Sequence, residues 1–302
     1  MSNIQEYLKT MKQEVENYIE KLFQLKKIVP DELFEAMKYG VVSGGKRVRA
    51  ILAITISRIL GGEDENIFPM ASAIEFIHAY SLVHDDLPAI DNDDYRRGQL
   101  STHKKFGEPM GILTGDALLT HAFWIIASQT KDKSLVTDFI EKLAWYAGVG
   151  GMVAGQTADV MAEKGKRQVS QIIAGINEKE LLNFIHKNKT AALIEVSCLS
   201  GAIASKQSQN IIEKISTYGQ SIGLAFQVMD DILDVTSTQE KMGKAVNKDA
   251  SHGKLTYPAI FGLEESQKKA NELIFEAQNA ISDIDKNGML MQIAKFIIDR
   301  EN

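Results

Sequence analysis

The chain has 302 residues, of which 44% are hydrophobic and 25% are charged, and its formal net charge at pH 7 is −6. This composition is typical of a globular protein, and the mild negative charge argues against a dedicated nucleic-acid binder. The single cysteine, Cys198, excludes an internal disulfide and a cysteine-based zinc site, and we interpret it as a small buried apolar residue.

The organisation of the chain favours one continuous domain, residues 1–302. That length fits one large domain or two ordinary ones, but only five prolines occur and no Ser/Gly-rich linker marks a boundary. The N-terminal residues lack the basic start and apolar run of a signal peptide. No apolar stretch approaches the ~18 residues that span a bilayer. We therefore expect a cytoplasmic protein without stable membrane insertion.

Helical periodicity dominates from the N-terminus onward. Residues 4–25 carry apolar side chains at spacings of three and four, which predicts an amphipathic helix whose stripe is Ile4, Leu8, Met11, Val15, Tyr18 and Leu22. Similar patterns predict further helices at 32–40, 47–60, 66–86, 110–128, 134–149, 177–204, 208–235, 254–264, 267–281 and 287–300. No sustained period-two alternation requires strands. The predicted fold is an all-α, single-domain helical bundle.

A first acidic cluster lies in HDDLPAIDNDDYRRG, residues 84–98. Asp85 and Asp86 follow an apolar helical stretch, and a third acid, Asp91, comes six residues after Asp85. In an unbroken α-helix that spacing would rotate Asp91 about 120° from the face of Asp85. Pro88 disturbs the preceding turn, so we expect the chain to deviate there and bring Asp91 back.

A second acidic cluster, FQVMDDILDV, contains Asp230, Asp231 and Asp234. On a helix Asp230 and Asp234 share a face, where like charges repel, so the cluster needs a counter-charge. A solvated acidic patch remains the alternative for this stretch alone. Two such clusters facing each other across a cavity would be favourable with divalent cations between them. Because Mg²⁺ prefers one or two carboxylates, waters and phosphate oxygens, the missing ligand is expected to be a phosphate.

The basic residues agree with a substrate that carries diphosphate groups. Residues 43–49, SGGKRVR, place glycines before a helix with Lys46, Arg47 and Arg49 close together. Glycines allow close backbone approach, helix-start amides favour anions, and arginine binds phosphate oxygens in a forked geometry. Further candidates are Arg96, Arg97, Lys189 with Thr190, Lys244 and Lys254. Each alone is typical of a solvated surface group, and only the set indicates diphosphates.

The order of the motifs along the chain resembles that of a known family. In order along the chain, GGKRVR, HAYSLVHDDLPAIDNDDYRRG, GQTADV, HKNKTAAL, FQVMDDILD and GKLTYP resemble the motifs of trans-isoprenyl diphosphate synthases, and most closely those of the bacterial-type farnesyl diphosphate synthases. The resemblance implies an all-helical bundle around a central cavity, usually a homodimer, with three Mg²⁺ ions per active site. It also implies small-molecule isoprenoid diphosphates as substrates.

The resemblance assigns roles position by position. The implied metal ligands are Asp85, Asp86, Asp91, Asp230, Asp231 and Asp234. Isopentenyl diphosphate would be held by Gly45, Lys46, Arg49, His78 and Arg97. The allylic diphosphate would be held by Arg96, Lys189, Thr190, Gln227, Lys244 and Lys254. The residues expected to carry catalysis are Asp85, Asp86, Asp91, Arg96, Lys189, Asp230 and Lys244. Gln156 and Asp159 match an element with a supporting role.

The implied reaction is the condensation of dimethylallyl diphosphate, and then geranyl diphosphate, with isopentenyl diphosphate to farnesyl diphosphate. Tyr80 lies about a turn and a half before Asp85 on a helix. Together with its neighbour Ser81 it resembles the floor that limits product length. The alternatives are a geranylgeranyl or geranyl diphosphate synthase, distinguished by product analysis, and a non-catalytic partner subunit. Such a subunit would be expected to have lost acidic or basic site residues, whereas a terpene cyclase would have a different second acidic motif.

Overall fold

The computed structural model describes residues 3–24, 29–163, 168–236 and 255–298. Two of the predicted site residues, Lys244 and Lys254, lie outside the described residues. The chain divides into two compact units, one formed by Met1–Glu141 with Ser200–Gln207 and the other by Lys142–Leu199 with Ser208–Asn302. The expectation of one continuous domain stays a prediction.

The first unit is built around a long helix that is apolar on most of its faces. Its helices are α1 Asn3–Leu22, α2 Asp31–Val42, α3 Val48–Ile59, α4 Asp64–Asp85, α5 Thr102–Phe106 and α6 Glu108–Gln129. Helix α4 packs against α3 and α6, and almost every side chain from Asn66 to Tyr80 is buried. A helix that is apolar all round belongs in the interior of a bundle, so α4 forms the core of this unit.

The first helix carries the predicted apolar stripe. Met11, Val15 and Ile19 of α1 are buried, and α1 packs against α3 and α4. A 3₁₀ turn, Lys133–Leu135, precedes helix α7, which spans Val136–Ala147. The buried side chains of Leu135 and Phe139 continue the same pattern of apolar residues on one face.

The second unit is organised around its longest helix, α12. The remaining helices are α8 Met152–Ala162, α9 Val169–Ile172, α10 Glu178–Ile185, α11 Ala192–Ala204, α12 Gln209–Thr236, α13 Tyr257–Phe261, α14 Leu263–Ala280 and α15 Met289–Ile298. Of α11, the residues up to Leu199 belong to the second unit. A π turn, His186–Ala191, joins α10 to α11. Helix α12 packs against α14 and against the π turn. A capping box between Asn177 and Glu180 satisfies orphan backbone donors and fixes the start of α10.

Helix α11 carries the only cysteine of the chain. The thiol of Cys198 is fully buried, as predicted, and burial raises its pKa. A Cβ atom added at Gly219 of α12 would lie 3.1 Å from Cβ of Cys198, so the two helices are in close contact at this level.

The all-α class is confirmed, and the described residues differ locally from the predicted elements, among other places in the short unpredicted helices α5 and α9. A two-residue antiparallel ladder, β1 Tyr95–Arg96 with β2 Gln99–Leu100, pairs Tyr95 with Leu100. Helix α8 was not predicted, because Gly150, Gly151 and Gly155 obscure its periodicity. The predicted helix 177–204 is interrupted by the π turn, which apolar periodicity does not reveal.

The expectation about apolar stretches needs a correction for α6. By length and composition alone this 22-residue helix is long and apolar enough to cross a membrane. The sequence reasoning missed it because Asp116 and His121 interrupt the apolar run. Core helices of soluble proteins pass the same test, and α6 packs against α4. The absence of stable membrane insertion stays a prediction.

Candidate active site

The first acidic cluster lies where α4 ends. The helix stops at Asp85, and the chain then turns so that the backbone N–H of Asp91 donates to the carbonyl oxygen of Asp85 at 2.9 Å. Asn92 supports the turn with φ +53° and a 3.1 Å backbone hydrogen bond to the carbonyl of Leu87. The prediction that the chain departs from the helix near Pro88 and returns Asp91 to Asp85 is confirmed for the backbone.

The second acid of this cluster is turned towards a basic residue of the same motif. Asp86 is only 2% exposed, and its Oδ1 accepts hydrogen bonds from the Nε of Arg96 at 2.9 Å and from its Nη2. Burial raises the pKa of Asp86, whereas the hydrogen bonds and charge of Arg96 lower it. Charge-assisted bonds of this kind fix both groups, so each side chain orients the other.

The glycines of SGGKRVR and the second arginine of the acidic motif meet in the first unit. Nη1 of Arg97 donates to the carbonyl oxygen of Gly44, although the two residues lie 53 positions apart. A Cβ atom at Gly45 would lie 3.0 Å from that same nitrogen, and Gly45 has φ +128°. Glycine is required there on both counts, because φ is positive and the guanidinium is close.

His78 lies in the electric field of the same group of arginines. Burial lowers the pKa of His78 well below its ordinary value, and the charges of Arg49 and Arg97 lower it further. The imidazole is therefore neutral near pH 7, with one donor and one acceptor nitrogen. Three of the residues predicted to hold isopentenyl diphosphate, His78, Arg49 and Arg97, thus belong to one electrostatic cluster in the first unit.

Arg47 has a structural partner that the sequence reasoning did not anticipate. Its side chain is buried, and Nη1 donates to Oε2 of Glu75 at 3.2 Å while Nη2 donates to the carbonyl of Val41 at 2.7 Å. Arg47 also has φ +54° at the start of α3. The only signal for this pair in the sequence is Glu75 itself, an acid in the middle of the apolar stretch of α4. The pair fixes the backbone between Lys46 and Arg49.

The predicted chain-length residues lie on α4. Tyr80 is 6% exposed, its ring meets that of His84 edge-to-face at 5.9 Å, and burial raises its pKa to about 12. A Cβ atom at Gly115 of α6 would lie 1.9 Å from Nε2 of His84, so α6 approaches α4 closely at this level. Ser81 is partly buried, and its Oγ donates to the carbonyl of His78 at 3.0 Å.

In the second unit, the π turn presents Lys189 and Thr190. Two glycines allow the turn to fit between α8 and α12. A Cβ atom at Gly155 would lie 2.1 Å from the backbone nitrogen of Lys189, and one at Gly223 would lie 2.7 Å from Cα of Ala191. π turns are rare and often occur at functional sites. The turn is therefore held by backbone contact on two sides.

Both side chains of this pair are engaged. Lys189 forms an ion pair with Asp159 of α8, and Oγ1 of Thr190 donates to Oε1 of Gln227 at 2.7 Å. Asp159 was predicted to have a supporting role, and it lies beside the lysine that it would orient. Four predicted residues, Asp159, Lys189, Thr190 and Gln227, are thus brought together within the second unit.

The acids of the second cluster differ in their surroundings. Asp230 and Asp234 are partly exposed on α12, whereas Asp231 is 3% exposed. Oδ1 of Asp231 accepts from Nε2 of Gln227 at 2.9 Å, and its Oδ2 accepts from the backbone N–H of Tyr257 at 2.8 Å. Nε2 of His186 lies 3.2 Å from the same Oδ2. The sequence reasoning identified neither His186 nor Tyr257, although both lie within quoted motifs.

The amino-acid sequence of the chain matches a known protein family. The family model described as Polyprenyl synthetase matches residues 30–291, which is most of the chain. The chain belongs to the polyprenyl synthetase family. Its members are prenyltransferases, and the resemblance to trans-isoprenyl diphosphate synthases is confirmed at this level.

Individual members of the polyprenyl synthetase family are similar over most of their length. A protein of Cyanophora paradoxa named geranylgeranyl diphosphate synthase is 41% identical over 99% of this chain and 97% of its own. The large subunit 1 of an Arabidopsis thaliana heterodimeric geranylgeranyl pyrophosphate synthase is 43% identical over 90% of this chain and 73% of its own. Among solved structures, an FPP/GFPP synthase from Zymomonas mobilis matches with a TM-score of 0.82 at 32% identity, covering 97% of this chain and 99% of that one.

The residues of this polyprenyl synthetase fit magnesium in the chemistry of their donors. Within the described residues no group of three or more His, Cys, Asp or Glu side chains is close enough to hold an ion. Each cluster has one buried acid that accepts hydrogen bonds from a neighbouring side chain, Asp86 from Arg96 and Asp231 from Gln227. The other acids are Asp85 with Asp91 and Asp230 with Asp234. Two carboxylates per cluster suit Mg²⁺, which takes its remaining ligands from water and phosphate.

The mutual arrangement of the clusters stays a prediction. Asp85 and Asp91 lie in the first compact unit and Asp230 and Asp234 in the second. Lys244 and Lys254, expected near the allylic diphosphate, lie outside the described residues.

Proposed function

We propose that this polyprenyl synthetase joins an allylic diphosphate to isopentenyl diphosphate, head to tail, and releases diphosphate. The observation that carries the proposal is the set of basic groups around His78, where Arg97 lies on the Gly44–Gly45 backbone and the charge of Arg49 reaches the imidazole. Such a set suits an anion with several oxygens, because guanidinium groups bind phosphate in a forked geometry.

The second unit supplies groups suited to the allylic diphosphate. Lys189 and Thr190 offer an ammonium and a hydroxyl on one turn, and Gln227 orients the hydroxyl. Bound Mg²⁺ would supply positive charge that stabilises the departing diphosphate. As the allylic C–O bond breaks, the lysine ammonium donates hydrogen bonds to the anion that forms. The double bond of isopentenyl diphosphate then attacks the delocalised allylic cation. Loss of a proton to the released diphosphate gives a longer allylic diphosphate.

The first candidate for the product is geranylgeranyl diphosphate. This alternative is supported better than farnesyl diphosphate by the names of the relatives, among them the 41% identical protein of Cyanophora paradoxa. A plastid protein of Catharanthus roseus with the same activity in its name is 42% identical over 90% of this chain. Three additions of a C5 unit to dimethylallyl diphosphate would be required.

Farnesyl diphosphate is the second candidate, and one observation favours it. Tyr80 is a large buried side chain one and a half helical turns before Asp85, and its ring is fixed against His84. A rigid aromatic side chain at that depth would stop a growing apolar chain early. Farnesyl and geranylgeranyl diphosphate differ by one C5 unit, so the position of one ring decides between them.

A homodimer is part of the proposal. Helix α6 exposes the apolar side chains of Ile112, Leu113 and Trp124, which favours a partner on that face. Light scattering after gel filtration tests the expectation of two copies. A heterodimer, as named for the Arabidopsis relative, is the alternative. A cytoplasmic location and one continuous domain are proposed as well, and cell fractionation and limited proteolysis test them.

The decisive experiment incubates the purified protein with dimethylallyl and isopentenyl diphosphates and Mg²⁺. Labelled isopentenyl diphosphate is expected in a C20 or C15 product, identified by chromatography against standards. Chelation of the metal should abolish the product, and replacing Asp230 by Ala should reduce the rate by at least about a hundredfold. Recovery of unreacted substrates at all enzyme concentrations would contradict the proposal and favour a non-catalytic partner subunit.

A further inference from the structure

We propose that Asp231 is a positioning residue that holds the π turn carrying Lys189 and Thr190 at two points, and that it does not itself ligate magnesium. The inference rests on the proposed function and concerns how the allylic-diphosphate side of that site is built. Asp231 belongs to a motif whose three acids were all expected to bind the metal. Its surroundings separate it from the other two.

Both oxygens of the Asp231 carboxylate are already engaged by donors of the second unit. Gln227, Tyr257 and His186 together direct three nitrogen atoms at its two oxygens, at 2.9, 2.8 and 3.2 Å. The residue is 3% exposed. A metal ion at this carboxylate would have to compete with hydrogen bonds to a buried anion, and such bonds are among the strongest in proteins.

One side of Asp231 orients the threonine hydroxyl. The side-chain amide of Gln227 donates to Asp231 through Nε2 and accepts from Thr190 through Oε1. Because the amide has one donor end and one acceptor end, the bond to the carboxylate fixes which end faces Thr190. Asp231 thus sets the direction of the Thr190 hydroxyl indirectly, through the side chain of Gln227.

The other side of Asp231 secures the start of the same turn. His186 is the first residue of the π turn, and its ring stacks on that of Tyr257 at 5.9 Å. Nδ1 of His186 is buried without a hydrogen-bond partner in the described residues, so Nε2 is the ring nitrogen that contacts Asp231. Asp231 therefore contacts the turn at its first residue and, through Gln227, at its fifth.

Helix geometry explains why neighbouring acids have different roles. Successive residues of α12 are rotated by about 100°, so Asp231 faces His186 and Tyr257, while Asp230 and Asp234 share another, partly exposed face. Asp230 is therefore a matched control, with the same side chain on the same helix one residue away.

The test compares Asp231→Asn, Asp231→Ala and Asp230→Ala, first for thermal stability in EDTA. Removing the Asp231 carboxylate leaves three donors without their acceptor, two of them in the buried residues His186 and Tyr257. Asp231→Ala should therefore lower Tm by about 4 °C or more. Asp231→Asn keeps one acceptor and, after rotation of the Gln227 amide, a second contact, so it should recover at least about half of that loss. Asp230→Ala should leave the metal-free Tm within about 1 °C of the parent.

The second measurement is calorimetric binding of inorganic diphosphate with Mg²⁺, which needs no turnover. Asp231→Asn should change the dissociation constant by less than about fivefold, whereas Asp230→Ala should weaken it by more than about tenfold. In the condensation assay, Asp231→Asn should raise KM for the allylic diphosphate and leave KM for isopentenyl diphosphate unchanged.

Two results would overturn the inference. One is an unchanged metal-free Tm for Asp231→Ala. The other is a loss of Mg²⁺-dependent diphosphate affinity in Asp231→Asn as large as that in Asp230→Ala. Should Asp231→Ala fail to fold, Asp231→Asn alone decides through the binding measurement. If the parent protein neither binds diphosphate nor forms product, the proposed function fails. The stability comparison still tests whether Asp231 holds the π turn.

Discussion

The backbone N–H of Asp91 donates a 2.9 Å hydrogen bond to the carbonyl oxygen of Asp85, closing the six-residue interval between two acids of one motif. The turn that brings Asp91 back to Asp85 depends on Asn92, whose φ of +53° lies in the left-handed region. Glycine and asparagine adopt that conformation at low cost, whereas β-branched residues do not. The spacing of the acids therefore depends on a residue that carries no charge.

Substituting Asn92 tests this return. Asn92→Gly is expected to keep both stability and magnesium response, and Asn92→Val should cost about 1–2 kcal/mol because of backbone strain. The valine variant should also need more Mg²⁺ for half-maximal activity, since Asp91 is displaced. Equal magnesium titrations for the two variants would show that the turn does not place Asp91.

Shortening Tyr80 should lengthen the product. Tyr80→Ala removes the buried ring, and we expect the main product to gain at least one C5 unit in chromatographic analysis. Tyr80→Phe keeps the ring and should leave the product distribution unchanged. The alanine variant is also expected to lose about 3 kcal/mol of stability, because a large buried side chain is removed. An unchanged product from Tyr80→Ala means that the ring is not the floor.

Gly155 of α8 allows this helix to lie in close contact with the π turn. In most helices a Gly→Ala change stabilises by up to about 1 kcal/mol. Here the new Cβ would meet the backbone nitrogen of Lys189 at 2.1 Å, so Gly155→Ala should instead destabilise by about 2 kcal/mol. It should also raise KM for the allylic diphosphate. Thr157→Ala, at an exposed position on the same helix, is the control and is expected to leave that KM unaltered.

The buried pair of Arg47 and Glu75 should be essential for stability. Glu75→Gln leaves the guanidinium without its main counter-charge in the interior, which is expected to cost about 3 kcal/mol in denaturant unfolding. Glu265→Gln removes the acid of an exposed pair with Lys268 and should have little effect. Similar midpoints for both variants would refute a special role for the buried pair.

Stability should decrease on mild acidification because of His78. Its folded-state pKa is lowered by burial and by nearby arginines, so below about pH 6.5 the unfolded chain binds a proton that the folded chain does not. The free energy of unfolding should therefore fall as the pH drops from 7 towards 5, by up to about 1.4 kcal/mol per unit. His78→Gln should flatten this slope. His121 has a pKa lowered by burial, so its Gln variant shows how much another histidine contributes.

Apolar periodicity predicted the long helices because their stripes are formed locally. The stripe of α1 and the largely apolar α4 follow from residues three and four apart, and the end of α4 follows from Asp86 and Pro88. The π turn could not be predicted in this way, since it depends on Gly155 and Gly223, which come from other helices.

The sequence motifs identified the charged groups of the candidate site, but they could not assign the partners of these groups. Asp86 and Asp231 look like their neighbouring acids in the sequence, and only packing shows that one meets Arg96 and the other meets a backbone N–H of Tyr257. These contacts join residues that are 10 and 26 positions apart in the sequence. The periodicity of a helix relates only residues three or four apart, so it does not predict such contacts.

The burial of Cys198 has a practical consequence. Its thiol is fully covered and its pKa is raised, so at pH 7–8 it carries almost no thiolate and should resist alkylating reagents. The native protein thus already provides a silent background for fluorophore attachment. A single cysteine introduced at an exposed position such as Val149 would take up one maleimide dye per folded chain, without any prior mutation of the native thiol.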